Sequence, residues 1–223
     1  PLRCHEKWSM TRSAKRCFGS DSFQAANNTT EKFTLADGSQ VDATYMNQTF
    51  DQHTYYETED YILFELGFVG GQSMRLVLPK EGKQLNDLLT EPALKAILSS
   101  PEESTQKSAK VNLKLPKFSF DSNFNLNKLC QSLGLEELFS ESSDLSGISK
   151  ENIAVSNVQQ ESHVEIDETG CKAAAYTKID IREMSLLLDE TEEINLSFNR
   201  PFLFSIQSGD NAPLFVGTVY QPK

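Results

Sequence analysis

Histidine is scarce in this chain. There are three in 223 residues, and His5, His53 and His163 stand in no spacing that a metal set or a catalytic triad uses. The Gly-x-Ser-x-Gly turn of a serine nucleophile is missing, and so is any glycine loop that cradles phosphate. Neighbouring acids such as Glu136 with Glu137 and Glu192 with Glu193 read as solvated charge. Without a nucleophile and base, a metal set or a cofactor cradle, the chain is expected to be no enzyme and to hold no cofactor. Positive charge is short as well: 21 Lys and Arg face 32 Asp and Glu, a formal net charge of −11. Nothing offsets phosphate repulsion, which argues against a non-specific nucleic-acid binder and weakly against an anionic membrane surface, so no nucleic-acid partner is expected. No apolar run approaches the roughly 20 residues of a bilayer span. No apolar signal core stands at the N-terminus either, so no membrane partner is expected. The four cysteines, Cys4, Cys17, Cys130 and Cys171, include no Cys-x-x-Cys pair and outline no disulfide framework, which leaves the redox compartment open. Cys4, His5 and Cys17 offer zinc three donors and no fourth.

What remains is a globular composition, 38% hydrophobic and 24% charged, in a chain long enough to bury a sizeable core. The stretch that organises it follows an alternating strand, Ser162-His163-Val164-Glu165-Ile166. Asp167, Glu168, Thr169, Gly170, Cys171, Lys172 and three alanines, Ala173, Ala174 and Ala175, come next. Alanine has the best helix propensity. Here the run is short, has no amphipathic stripe and leaves a strand directly. A helix is therefore one option, and a segment small enough to slide between two strands is the other.

From Phe33 onward the chain reads as strand-rich. Residues 33–35 and 41–46 flank Asp37-Gly38, a hairpin signal. Residues 55–57, 61–66 and 73–78 form a meander with Gly70-Gly71 as its last turn, and Pro79 ends it. Tyr55, Tyr56 and Tyr61 read as sheet packing in so acidic a chain, not as a stacking platform for bases. Residues 85–89 and 92–98 have helical spacing, with Pro92 suited to a first turn. Residues 101–108 read as a polar loop and 111–115 as a strand that stops at Pro116. Residues 126–133 read as a helix with Cys130 in its core and Gly134 as its cap. Val155, Val158, Val164 and Ile166 are assigned to one long strand, and 202–206 and 214–220 to two strands of a buried sheet. The Asn-x-Ser/Thr sequons at Asn27, Asn28, Asn47 and Asn195 occur at a frequency chance supplies and carry no weight at this level.

Glu168-x-Gly170 and its alanines resemble the reactive-centre loop of the serpins. The resemblance continues downstream in Phe198-Asn199-Arg200-Pro201-Phe202-Leu203-Phe204 and Pro213-Leu214-Phe215-Val216-Gly217. Upstream it includes Phe33-Thr34-Leu35-Ala36-Asp37-Gly38, Met46-Asn47-Gln48, Leu76-Val77-Leu78-Pro79 and Leu115-Pro116-Lys117-Phe118. Leu133-Gly134-Leu135 with Phe139, and Asp144-Leu145-Ser146-Gly147-Ile148, complete the series. Each fragment is weak alone; their order over roughly residues 23–223 is specific. The fold this implies is α+β: mostly antiparallel sheets, a few short helices and an exposed reactive-centre loop. The N-terminal helices and most of the main sheet of a whole serpin are not expected here. Residues 1–22 form an atypical segment, polar and basic, and 23–223 the C-terminal part of a serpin domain. The family's tryptophan stands four residues before a phenylalanine. With Phe23 as that phenylalanine the position holds Gly19, and Trp8 lies too early.

The function the resemblance implies is suicide-substrate inhibition of a serine protease. The protease attacks one bond of the loop, an acyl-enzyme forms, and the cleaved loop enters the main sheet as a new strand. In family usage the hinge glutamate is the seventeenth residue before the cut. With Glu168 there, the reactive bond joins Met184 to Ser185 and the hinge runs through Glu168, Thr169, Gly170, Cys171, Lys172, Ala173, Ala174 and Ala175. A methionine at the cut suits an elastase-like or chymotrypsin-like protease. Cys171 and Lys172 depart from the family's usual threonine or serine and glutamate. The acids Asp189, Glu190, Glu192 and Glu193 after the cut read as a solvated loop, with an acidic exosite for a basic protease as the sharper alternative. A non-inhibitory serpin-like chaperone or carrier is the alternative function. The expected location is extracellular or secreted, with an intracellular one as the alternative. The 223 residues alone are expected not to trap a protease, and the strand before the loop is expected to present an open edge.

Overall fold

A computed structural model describes residues 10–13, 23–68, 71–140, 142–149, 153–168 and 192–222. In chain order its strands are β1 (Met10–Ser13), β2 (Thr29–Thr34), β3 (Gln40–Glu57), β4 (Tyr61–Gly67), β5 (Ser73–Pro79) and β6 (Gln106–Pro116). Then come β7 (Phe118–Asn125), β8 (Gln159–Ile166), β9 (Glu193–Ser197), β10 (Phe202–Gln207) and β11 (Pro213–Val219). Two short α-helices, α1 (Glu91–Leu98) and α2 (Asn127–Ser132), and a few 3-10 turns lie between them. The chain divides into two compact units: Pro1–Ala14 with Ser119–Val164, and Lys15–Phe118 with Glu165–Lys223.

The second and larger unit is built on one sheet in the order β11-β10-β5-β4-β3-β6-β9, with β2 also paired to β3. All its described ladders are antiparallel except β6 with β9, which run parallel. The hairpin expected at Asp37-Gly38 is present. Gly38 adopts φ +83, a left-handed conformation that costs a glycine nothing, and Leu35 N–H donates to Ser39 O at 2.7 Å. Residues 41–46 and 55–57, read from sequence as separate strands, are one strand. The polar 47–54 between them is held extended by β6, with a register shift between Phe50 and His53. The same pairing starts β6 at Gln106, inside the stretch read as loop. Cross-strand partners, not local propensity, decide both.

The core of this unit is aromatic and aliphatic. Phe33, Tyr45, Phe64, Leu76 and Phe202 are fully buried. Leu63, Val77, Leu203, Leu85, Leu88 and Ile97 form the cluster under the 3-10 turn Leu85–Leu89 and α1. Tyr55 is buried, and Tyr56 and Tyr61 pack on that cluster, as expected of sheet tyrosines. Arg75 on β5 is 1% exposed; its guanidinium donates to Glu65 Oε2 at 3.1 Å and to the carbonyls of Ile97, Leu98 and Ser99. It thus satisfies carbonyls that the C-terminus of α1 leaves without helical partners. All six residues of β10 are buried. β11 departs from the buried-sheet expectation: it is the outermost strand, and Val216 is 48% exposed.

The first unit holds a three-stranded sheet in the order β1-β8-β7. β1 runs parallel to β8, with Met10 opposite Gln160 and Ser13 opposite His163. The open edge expected along the strand before the loop is therefore covered over 160–163. β8 starts at Gln159 and not at Val155. Val155 N–H is taken by Leu138 O at 2.8 Å and Val158 N–H by Asn127 Oδ1 at 2.7 Å, so neither is free for a ladder. Gly134 (φ +83) ends α2 as expected, with Leu135 N–H on Cys130 O at 3.1 Å. Cys130 is not a core residue. It is half-buried, α2 buries none of its residues, and Leu129 and Leu133 are 53% and 70% exposed.

Candidate functional site: the base of the loop

β8 runs out at Ile166, whose side chain is buried, and two residues later Glu168 is fixed by side chains of its own unit. Its Oε2 lies 2.5 Å from Lys117 Nζ, and its Oε1 accepts from Asn28 Nδ2 at 3.3 Å. The Glu168 side chain is 13% exposed and that of Lys117 31%. Lys117 is placed by its backbone. Pro116 ends β6, Lys117 N–H donates to Thr44 O at 2.8 Å, and Phe118 beyond it is buried against Phe202 and Phe204. Asn28 follows the 3-10 turn Ala25–Asn27, its N–H on Ala25 O at 3.2 Å. The Lys117 ammonium above all holds the Glu168 carboxyl below the ordinary glutamate range, with Asn28 adding a smaller pull against the cost of burial. The carboxylate is ionised at neutral pH, a charged latch two residues beyond the end of β8.

Of the hinge residues, Glu168 is the one the structure describes. Thr169, Gly170, Cys171, Lys172 and Ala173 to Ala175 lie outside the described residues, as do Met184 and Ser185. Asp189 and Glu190 of the acidic tract also lie outside. Glu193 is not a loop residue: it opens β9, where it accepts from Lys110 Nζ at 3.2 Å and Asn112 Nδ2 at 2.8 Å. Glu192 O accepts from Lys110 N–H at 2.8 Å. An acid spent on its own sheet has less field to offer a passing protease. His163 on β8 lies with Nδ1 2.7 Å from Asp121 Oδ1 and serves the sheet, in keeping with a structural role. Lys117 and Asn28 were not singled out as partners of Glu168. Lys117 stands in the Leu-Pro-Lys-Phe fragment, but the two partners lie 51 and 140 residues before the glutamate, and no local pattern joins them.

Comparison with known proteins identifies the family. The family described as Serpin (serine protease inhibitor) matches residues 19–222. The alpha-1-antiproteinase of Bos taurus is 32% identical over 206 residues, 90% of this chain and 47% of that protein. The plasma serine protease inhibitor of Homo sapiens is 38% identical over 158 residues, 70% of this chain and 36% of that protein. Among solved structures, Serpin48, a highly specific serpin of the insect Tenebrio molitor, superposes with a TM-score of 0.73 at 26% identity. It covers 93% of this chain and 54% of that one. The chain spans about half the length, or less, of the curated relatives it matches. With the family match, the relatives and the fold in agreement, the chain belongs to the serpin family.

Proposed function

We propose that this chain carries the reactive-centre loop of a serpin-type inhibitor of serine proteases, and that the bond cut joins Met184 to Ser185. The observation that carries the reading is Glu168. It stands at the end of β8, latched to Lys117 and Asn28, where the hinge of such a loop begins. Counting from it gives Met184 as the residue before the cut. The protease serine attacks the Met184 carbonyl carbon, the amine of Ser185 leaves, and the acyl-enzyme remains on Met184. The freed loop adds as a strand beside β8 and carries the enzyme with it. Along 160–163 that side of β8 is held by β1, so an incoming strand there must part the two.

An unbranched methionine favours an elastase-like or chymotrypsin-like target. A secreted, extracellular setting is in keeping with a relative named as a plasma inhibitor. Residues 1–22 are taken as a segment apart and 23–223 as the C-terminal part of the serpin domain. The 223 residues by themselves are proposed to be cut in the loop without trapping. The test is a denaturing gel. The full-length protein with a chymotrypsin-like protease is expected to give an SDS-stable complex and a mass-mapped cut after Met184. This chain alone is expected to give the cut and no complex. Dominant cleavage after Arg182 would point to a trypsin-like target. Turnover of the full-length protein without any complex would favour the second reading, a non-inhibitory serpin acting by binding, which Cys171 and Lys172 in the hinge already support.

A further inference from the structure

The four sequons, indistinguishable in sequence, are made different by their surroundings. Asn47 on β3 donates through Nδ2 to Asn27 O at 2.6 Å and Thr29 Oγ1 at 3.0 Å, and its Oδ1 is buried. Asn28 gives Nδ2 to Glu168, and its Oδ1 is buried too. Asn27 is exposed, but its sequon hydroxyl, on Thr29, accepts from Asn47 and donates to Glu31 Oε1 at 2.9 Å. Asn195 differs from all three. It is exposed on β9, the last strand of its sheet, at the end of a polar row that crosses β3, β6 and β9 in register: Thr49 opposite Asn112, Asn112 opposite Asn195. Donation runs outward along that row. Thr49 Oγ1 donates to Asn112 Oδ1 at 2.9 Å, and Asn112 Nδ2 to Asn195 Oδ1 at 3.0 Å. The carbonyl of Asn195 is thereby the acceptor that ends the row, and its Nδ2 is not used in it.

We infer that Asn195, in Asn195-Leu196-Ser197, is an N-glycosylation site, and that Asn28 and Asn47 carry no glycan in the folded protein. In the transfer a bond forms between Asn195 Nδ2 and C1 of the first sugar of a lipid-linked oligosaccharide. The bond from C1 to the lipid pyrophosphate breaks, the pyrophosphate leaves with the electron pair, and Nδ2 gives up one proton. No oxidant is needed. The product keeps one N–H and the carbonyl, so the row from Thr49 to Asn195 survives the modification. At Asn47 the same bond removes a donor from a pair it uses indoors. A glycan on β9 also stands on a strand at the end of its sheet, where it would hinder pairing with another chain. It sits eleven residues beyond the proposed cut.

The inference rests on the secretory setting proposed above, so the experiment supplies that setting itself. The chain is translated behind a cleavable signal sequence in the presence of microsomes, with Asn27, Asn28 and Asn47 all changed to Gln. One glycan per chain, removable by endoglycosidase, is expected. It should vanish with either Asn195→Gln or Ser197→Ala added. Absence of the glycan in the triple variant overturns the site, and because the compartment was provided it says nothing against secretion or inhibition. A second measurement uses unaltered chain secreted as monomer from eukaryotic cells, with carrier asparagines mapped after enzymatic deglycosylation. Asn195 modified and Asn47 unmodified is the expected result; Asn47 occupied as fully as Asn195 overturns the selectivity.

Discussion

In the larger unit, strand after strand turns apolar side chains into one interior, from Phe33 on β2 to Val219 on β11. In the smaller unit, Val164 alone among the described residues is a buried apolar side chain. Phe124, Leu129, Leu133, Leu135 and Ile148 of that unit are all more than two-fifths exposed. The first unit is held instead by polar contacts: Asn123 Nδ2 to Glu161 Oε1 at 3.2 Å, Asn125 Nδ2 to Asn157 Oδ1 at 2.8 Å, and the His163–Asp121 pair. Each such bond on a wet surface contributes about 1 kcal/mol or less, whereas a buried Phe or Leu contributes roughly 1.5–3 kcal/mol. Strand pairing thus exists in both units, and burial, which makes a sheet independently stable, in one. The unit with the thin interior is the one expected to open at the lower cost.

The sharpest way to break the comparison is to truncate one large side chain in each unit. Phe202→Ala removes a ring that touches Phe118 and Phe198, and is expected to cost about 3–5 kcal/mol. Leu133→Ala, at 70% exposure, should stay within about 0.5 kcal/mol. Urea unfolding followed by far-UV circular dichroism reads both, and equal costs would abolish the contrast. A smaller effect is expected at Gly217. A Cβ there would lie 2.6 Å from the ring of Phe204, so Gly217→Ala overpacks the β10–β11 contact by roughly 1–3 kcal/mol. An unchanged urea midpoint would mean that the ring yields freely.

The smallest effect is the latch. Glu168→Gln keeps a hydrogen-bonding side chain and removes the charge facing Lys117, a loss on the order of 1 kcal/mol. The sign with pH follows from the lowered pKa. The contribution is complete above the ordinary glutamate value of 4.5 and is lost as pH falls through the lower folded value. The gap in stability between the wild type and Glu168→Gln should therefore be open at neutral pH and close in acid. A gap that is independent of pH would remove the ion pair from the account.

Much of the larger unit is legible in the sequence because its strands advertise themselves locally. Alternation marks 41–46 and 73–78, Asp37-Gly38 marks the turn, and Pro92 marks the first turn of α1. What sequence reading missed is non-local. Residues 47–54 are mostly polar and become strand because Ser108 to Lys114 supply their ladder, and 106–108 because Thr54 to Tyr56 supply theirs. β7 and β9 do alternate, through Phe118, Phe120 and Phe124 in one and Ile194 and Leu196 in the other, but the Ser, Asn and acidic residues between make so short a pattern easy to pass over. In the smaller unit the spacing of Leu126, Leu129, Cys130 and Leu133 correctly announces a helix but wrongly a buried one. Periodicity reports which face is apolar and is silent on whether anything covers it. Glu168 is singled out by the family resemblance alone, and its two partners appear only in the fold.

The parallel pairing of β6 with β9, and the seat of β10 beside β5, have a consequence for how the chain is made. β5 and β6 emerge from a ribosome long before their neighbours, since β9, β10 and β11 occupy residues 193–219. Until that last stretch appears, the nascent sheet exposes two unsatisfied strand edges and apolar residues such as Leu76 and Val111 to the cell. Contacts this far apart in sequence close slowly. The sheet is therefore expected to close late, and the interval of greatest vulnerability to misassociation is the one before residues 193–219 appear.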